Sequence, residues 1–439
     1  MALLTKRVFV SLLAGILVGE LIINHYDVIL TLHALLDLVL QLMTTPWILK
    51  TFGFMLLMGS VMHLMERSGG INGFVYMLSH QLSLVKSDRA ALVLVYIIGV
   101  VIFIETSITV LIAGAVGRPL CDAHGISRAK LAYVCDSTSA PVGALLMFNG
   151  YGALMLGLIT AQMSLGYMQG ESVAWLLDAL VYNFYAILAL VLTFIVIWFG
   201  IDIGAMKNAV VKHERNAVQK GGNAFYMIAP IVLMISGVFI FLYITGSGNI
   251  LKGSGSSSIF YTMVMTLFVM GLYLVIKKVL PFKVVLTESL KGMRSMVGIT
   301  SILLFAFGIG EVTSQMETGV YLASYVNEVL SPAWLAGAVF LLAAVMSFST
   351  GTSWGTFSIM VPIAIPLAVA MDADIALVLG AVISGGVFGD HCSPISDTTI
   401  ISSMATGCDH VEHVKTQLPY ALFSGLLALI LFIIFGFIR

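Results

Sequence analysis

Gly389-Asp390-His391-Cys392-Ser393-Pro394-Ile395-Ser396-Asp397 interrupts a long apolar run of the chain. Two carboxylates, an imidazole and two hydroxyls are crowded together there, split by a proline that cannot continue an α-helix. A second acidic passage, Cys135-Asp136-Ser137-Thr138-Ser139-Ala140-Pro141, also combines an aspartate, hydroxyls and a proline. The 439-residue chain around them is 59% hydrophobic and only 10% charged, with a mean hydropathy of +1.05. A chain of this composition resides in a membrane, where no water satisfies the backbone and spanning segments must be helices. The ten-residue alternating segments of an outer-membrane barrel are missing. The expected fold class is therefore an all-α polytopic membrane protein. Acids at bilayer depth are costly, so the two passages mark a functional site.

Other functions are excluded by what the chain lacks. A net charge of −1 gives no footing for nucleic acid. No nucleophile elbow, P-loop or metalloprotease motif occurs, so the chain is not read as an enzyme, and no cofactor is expected beyond transported or coupling Na⁺ and H⁺. Cys121, Cys135, Cys392 and Cys408 lack metal-ligand spacing and are read as free, packed thiols. The first apolar stretch follows Lys6 and Arg7 without a small-residue cleavage signature, so it is expected to be a retained helix.

Well-formed spans are expected near 8–24, 48–65, 88–104, 152–168, 174–200, 226–245, 259–280, 296–310, 333–348 and 418–438. Segments 28–43, 106–120, 129–149, 351–370 and 375–403 are apolar but interrupted, as discontinuous helices and re-entrant hairpins are. The polar stretch Asp202–Asn223 carries Lys207, Lys212, Arg215 and Lys220, and another basic stretch carries Lys277, Lys278, Lys283, Lys291 and Arg294. The positive-inside rule places both in the cytoplasm, with Lys6 and Arg7. The chain thus divides into a first transmembrane half (1–201), a cytoplasmic linker (202–224) and a second transmembrane half (225–439).

The halves echo each other. Glu105-Thr106-Ser107-Ile108-Thr109, then Pro119, Asp136 and Pro141, parallel Gly351-Thr352-Ser353-Trp354-Gly355-Thr356, then Pro366, Asp390 and Pro394. The offsets are 246 (Ser107 to Ser353), 247 (Pro119 to Pro366), 254 (Asp136 to Asp390) and 253 (Pro141 to Pro394). One small insertion reconciles them, so the sequence reads as an internal duplication. The repeated unit is a hairpin and broken helix, at about 105–149 and about 349–403. A helix broken at the bilayer midplane exposes carbonyls at one end and amides at the other, and both can hold ions. Hard cations such as Na⁺ seek oxygen ligands. Thr106, Ser107, Thr109, Ser137, Thr138 and Ser139 offer them in one repeat, and Thr352, Ser353, Ser393 and Thr398 in the other. Asp136 and Asp390 each require a cation or a proton to be neutralised at that depth, and so are read as Na⁺ and proton sites.

The run from Gly386 to Thr399, preceded by Gly351-Thr352-Ser353-Trp354-Gly355-Thr356, resembles the signature of the NhaC family of Na⁺/H⁺ antiporters. The resemblance extends weakly through both halves, including Asp136 to Pro141. It implies an ion-transporter fold of two inverted repeats with re-entrant hairpins and an elevator-like cycle. It also implies Na⁺/H⁺ antiport in the inner (cytoplasmic) membrane and a homodimer. Relatives of this kind move carboxylates or amino acids with Na⁺ or H⁺, so a coupled transporter of a small organic solute is the alternative.

Individual residues carry two readings each. Asp136 is an ion ligand unless Lys130, six residues earlier, claims it. Asp397 stands between second ligand and helix cap, and His391 between proton carrier and a brace for the break. Glu105 lines the cavity or makes a buried structural contact, and Glu311, in a glycine-rich helix, is placed the same way. Asn149 and Trp354 are substrate contacts or, respectively, a cap and a wall. Asp178, Asp202 and Glu214 are read as loop or interface charges. Asp409, His410, Glu412, His413 and Lys415 alternate in charge and read as a solvated loop. A channel would favour continuous pore-lining helices, whereas paired broken helices with single acids favour alternating access.

Overall fold

Proline and small polar residues decide where the apolar runs begin to coil. Pro46 and Pro332 sit in the first turn of their helices, where a missing N–H costs nothing. Ser87, Asn149, Thr352 and Asp374 start four others by accepting a backbone N–H in the first turn. The structure, a computed structural model, describes residues 8–80, 87–103, 105–209, 222–318, 321–324 and 331–438. Lys6, Arg7, Lys212, Glu214, Arg215 and Lys220, with most of the expected linker, lie outside the described residues.

In chain order the helices are α1 (Val8–Ile23), α2 (Val28–Thr44), α3 (Pro46–Arg67), α4 (Gly70–His80), α5 (Asp88–Val101), α6 (Thr106–Ala123), α7 (Arg128–Ser137) and α8 (Ala140–Gly143). There follow α9 (Gly150–Ser164), α10 (Ser172–Val181), α11 (Phe184–Phe199), α12 (Phe225–Thr245), α13 (Gly255–Ile276) and α14 (Phe282–Gln315). The chain closes with α15 (Pro332–Thr350), α16 (Ser353–Ala370), α17 (Ile375–Cys392), α18 (Asp397–Thr406) and α19 (His410–Ile438). Among the described residues all regular structure is helical, and nine helices are long and apolar enough to cross a bilayer.

The expected span 174–200 is two helices, α10 and α11. Asn183 ends the first: its amide donates to Ala144 O (3.0 Å) and its carbonyl accepts from Ser384 Oγ (2.9 Å), so a buried polar side chain is satisfied by breaking the run. The expected span 296–310 is the middle of α14, a 34-residue helix. At 1.5 Å per residue it is about 51 Å long, well beyond the hydrocarbon core of a bilayer. Segment 28–43 is an uninterrupted helix, α2.

The helices pack in two groups. α3 and α14 cross as a pair flanked by α1 and α13, with α12 against α13. The second group joins α15, α16, α17 and α19, and sets α18 against α6 and α7. Element order within it recurs. α6 and α16 are each 18 residues long, and each is followed by a helix that ends just past an aspartate: α7 at Ser137, α17 at Cys392.

Candidate ion and proton site

Close packing brings the passage around Asp390 to its place. A Cβ on Gly385 or Gly389 would lie 2.3 Å from Phe340 O or 2.2 Å from Ala344 O, so only glycine lets α17 touch the backbone of α15. Ser347 Oγ of α15 donates to Gly386 O (2.6 Å) across the same seam. The last turn of α17 is thereby fixed beside the start of α16. There Ser353 Oγ donates to Asp390 Oδ2 (2.9 Å) and shares a hydrogen bond with Tyr151 Oη of α9 (2.8 Å). Asp390 Oδ1 is buried without a hydrogen-bond partner.

Asp136, fully buried one residue before the end of α7, is met by side chains of the other half. Its Oδ2 accepts from Gln417 Nε2 (2.8 Å) and Thr399 Oγ1 (3.2 Å), and pairs with His413 Nε2 at 3.3 Å. Its Oδ1 has no partner, nor have Gln417 Oε1 and His413 Nδ1, all of them buried. Lys130, the structural partner weighed for Asp136, pairs instead with Asp202 at 2.7 Å. Between the two acids lies His391, with Nε2 at 3.2 Å from Ser137 Oγ and Nδ1 at 2.6 Å from Tyr185 Oη. Gln417 also donates to His391 O (2.6 Å), so one amide joins both broken helices. Neither aspartate pairs with a lysine or arginine among the described residues.

The remaining expected residues divide. Glu105 caps α6 through Ile108 N (2.8 Å), whereas Asp397 is the first residue of α18 and accepts from Thr398 N (2.8 Å), the cap position being held by Ser396. Each is within electrostatic reach of the other, and Asp397 also of Asp390. Asp397 is exposed and Glu105 half-buried, so both stand on the accessible side of the cluster. Several hydroxyls donate to backbone carbonyls: Thr109 to Glu105 and Ile102, Thr138 to Val134, Ser139 to Thr106 and Ser393 to Phe348. A hydroxyl that gives its proton to a carbonyl keeps its lone pairs, so it remains a ligand for a cation. Ser107 lies by the Glu105 carboxylate, Thr106 touches the break beside Gly143, and Thr352 caps α16. Thr398 shares a hydrogen bond with Ser396 (3.0 Å).

Asn149 spends both donors on Phe103 O (3.0 Å) and Gly143 O (2.7 Å) and accepts from Gly152 N (3.1 Å), which makes it the cap of α9. Trp354 stacks at a tilt on Tyr151, ring centroids 5.2 Å apart, and forms a wall. Glu311 meets Gln315 (3.3 Å) and the charge of Glu20 rather than either aspartate.

One expectation is overturned. The stretch Asp409–Lys415 is not a solvated loop: α19 begins at His410, and His413 is fully buried against Asp136. His410 bridges Ser403 Oγ (3.0 Å) and Pro394 O (2.7 Å), while Asp409 and Lys415 stay exposed. The alternating charge is that of a helix with one inward face. His413 and Gln417 are four residues apart, one helical turn, and that spacing was the available signal. Tyr151, Tyr185 and Thr399 carried none, being single polar groups in apolar surroundings. Among the described residues no three His, Cys, Asp or Glu side chains converge as a transition-metal site requires. Carboxylate, hydroxyl and amide oxygens suit hard cations instead.

Membrane-length helices packed around buried carboxylates that, among the described residues, pair with no lysine or arginine make this a multi-pass membrane protein. The fold agrees with that of the Alcanivorax borkumensis YdaH transporter, with a TM-score of 0.63 at 15% identity over 94% of this chain and 90% of that one. The chain belongs to the Na⁺/H⁺ antiporter family, of the NhaC type, whose model matches residues 148–437. An uncharacterised protein of Haemophilus influenzae is 33% identical over all of this chain and 89% of its own. NhaC of Alkalihalophilus pseudofirmus is 30% identical over 32% of this chain and 31% of its own. The malate-2H⁺/Na⁺-lactate antiporter of Bacillus subtilis is 34% identical over 26% and 24%. The protein is accordingly a secondary antiporter.

Proposed function

We propose that the protein exchanges Na⁺ for H⁺ across the inner (cytoplasmic) membrane, with Asp136 and Asp390 as the groups that bind either ion. The observation that carries this reading is the state of the two carboxylates. Each is buried, each has one oxygen held by donors and one without a partner, and among the described residues neither has a lysine or arginine to neutralise it. A carboxylate in that position favours a bound cation or a proton, and the two exclude each other at one oxygen. The negative ends of the α7 and α17 helix dipoles, reached one and two residues past the acids, add to the attraction for a cation. Protonation then releases Na⁺, and only the loaded or protonated carrier crosses.

The recurring order of an 18-residue helix and a helix ending just past an aspartate supports two repeats, taken here as inverted, and the packing of α15 on α17 and α19 supports their moving as one body in an elevator-like cycle; the homodimer rests on the family resemblance. Asp390→Asn keeps the shape and the bond to Ser353 but cannot change charge. In proteoliposomes it abolishes Na⁺-dependent proton movement; exchange at the native rate with native pH dependence would overturn the assignment. The named activity of the Bacillus subtilis relative favours one rival, in which Na⁺ or H⁺ is coupled to a small carboxylate. In that reading flux appears only when an organic acid or amino acid is supplied.

A further inference from the structure

α12 and α13 pack along each other, yet a groove of about 410 Å³ opens between the start of α12 and the end of α13. Its walls include Tyr226, Ala229, Pro230 and Leu233 from one helix and Met270 and Tyr273 from the other, and all its lining residues are apolar or aromatic. Pro230 lies inside α12, where its ring has no N–H to give to the helix ladder. Two lysines follow the end of α13 that lines the groove. Lys277 and Lys278 directly follow α13, are exposed, and form no ion pair among the described residues. Lys277 Nζ stands 6.0 Å from the ring centroid of Tyr273, so the charge sits on a residue that lines the groove.

A dry channel with unpaired cations at one end fits a molecule that carries an apolar chain next to an anion. The bilayer supplies one. We propose that this face binds an anionic phospholipid, with one acyl chain in the groove and its phosphate at Lys277 and Lys278. The lysines snorkel from the end of a membrane-length helix to the interface, the depth at which a phosphate lies when its chain is buried. A second copy of this chain could cover the apolar walls but would leave the two ammonium groups without an anion. The inference is independent of the ion site, which no groove residue touches.

The test uses the full chain purified in detergent and incubated with equal amounts of phosphatidylglycerol and phosphatidylcholine, with bound lipid read by native mass spectrometry. The expected result is preferential retention of phosphatidylglycerol. Lys277→Gln with Lys278→Gln lowers that preference by about 30-fold, from about fivefold per charge, without changing retention of phosphatidylcholine. Ala229→Trp fills the groove and removes both lipids while the lysines remain. Phosphatidylglycerol retention unchanged in both variants would overturn the proposal. So would an Ala229→Trp protein that keeps its lipid but changes from dimer to monomer, since a second copy would then be the occupant.

Discussion

At Asp136 the proposed exchange rests on how a buried carboxylate is held. Three donors on one oxygen hold the carboxylate in place, and the other oxygen stays open to an ion. Gln417 has the shortest of these bonds and also grips the end of α17. Gln417→Ala should raise the half-saturating Na⁺ concentration at least tenfold, from ~1.5 kcal/mol for a hydrogen bond to a charged group. Flux measured against Na⁺ concentration checks this, and an unchanged curve would show that Gln417 does not position the acid. Asp136, Ser137, Asp390 and His391 were legible because they cluster in sequence just before prolines, and Ser353 because it stands in a hydroxyl-rich turn that parallels the one at Ser107. Tyr151, Tyr185 and Gln417 were not, because each reaches the cluster only through the packing of helices far apart in the chain. His413 was misread for a related reason: local charge alternation describes the exposed face of a helix as well as it describes a loop.

At the scale of elements, two contacts decide whether the breaks stay in register. Arg128 at the start of α7 pairs with Asp122 (2.6 Å) and donates to Thr406 O (2.7 Å), closing the end of α18. The pair is buried, so Arg128→Ala, which removes its cation and the bond to Thr406 O, should cost about 3–5 kcal/mol. Thermal unfolding in detergent reads that loss, and a midpoint equal to the native one would contradict it. α3 and α14 cross where a Cβ on Gly292 would stand 2.2 Å from Gly59 O. Gly292→Val should therefore destabilise the frame by about 1–3 kcal/mol, which the same scan measures while Na⁺ affinity stays native. Span positions were largely legible from apolar runs; α10 and α11 were not separable, because Asn183 breaks the run only to meet Ala144 and Ser384.

For the whole molecule, the proposed ion site is assembled where the halves meet. Asp136 takes its donors from α18 and α19, Ser353 reaches Tyr151, and His391 reaches both Ser137 and Tyr185. Any movement that parts these contacts changes what both carboxylates can hold, and this is how a change in access can be tied to a change in ion. The duplicated pattern in the sequence pointed to this joint site, but its cross-half partners became visible only in the fold. The most direct measurement is a Na⁺ gradient imposed on proteoliposomes that contain the protein, a pH-sensitive dye and no organic solute. Protons should move against the Na⁺ flux, and the signal should vanish in Asp136→Asn and Asp390→Asn. A silent dye that responds only after a carboxylate or an amino acid is added would contradict Na⁺/H⁺ exchange as the function of this site.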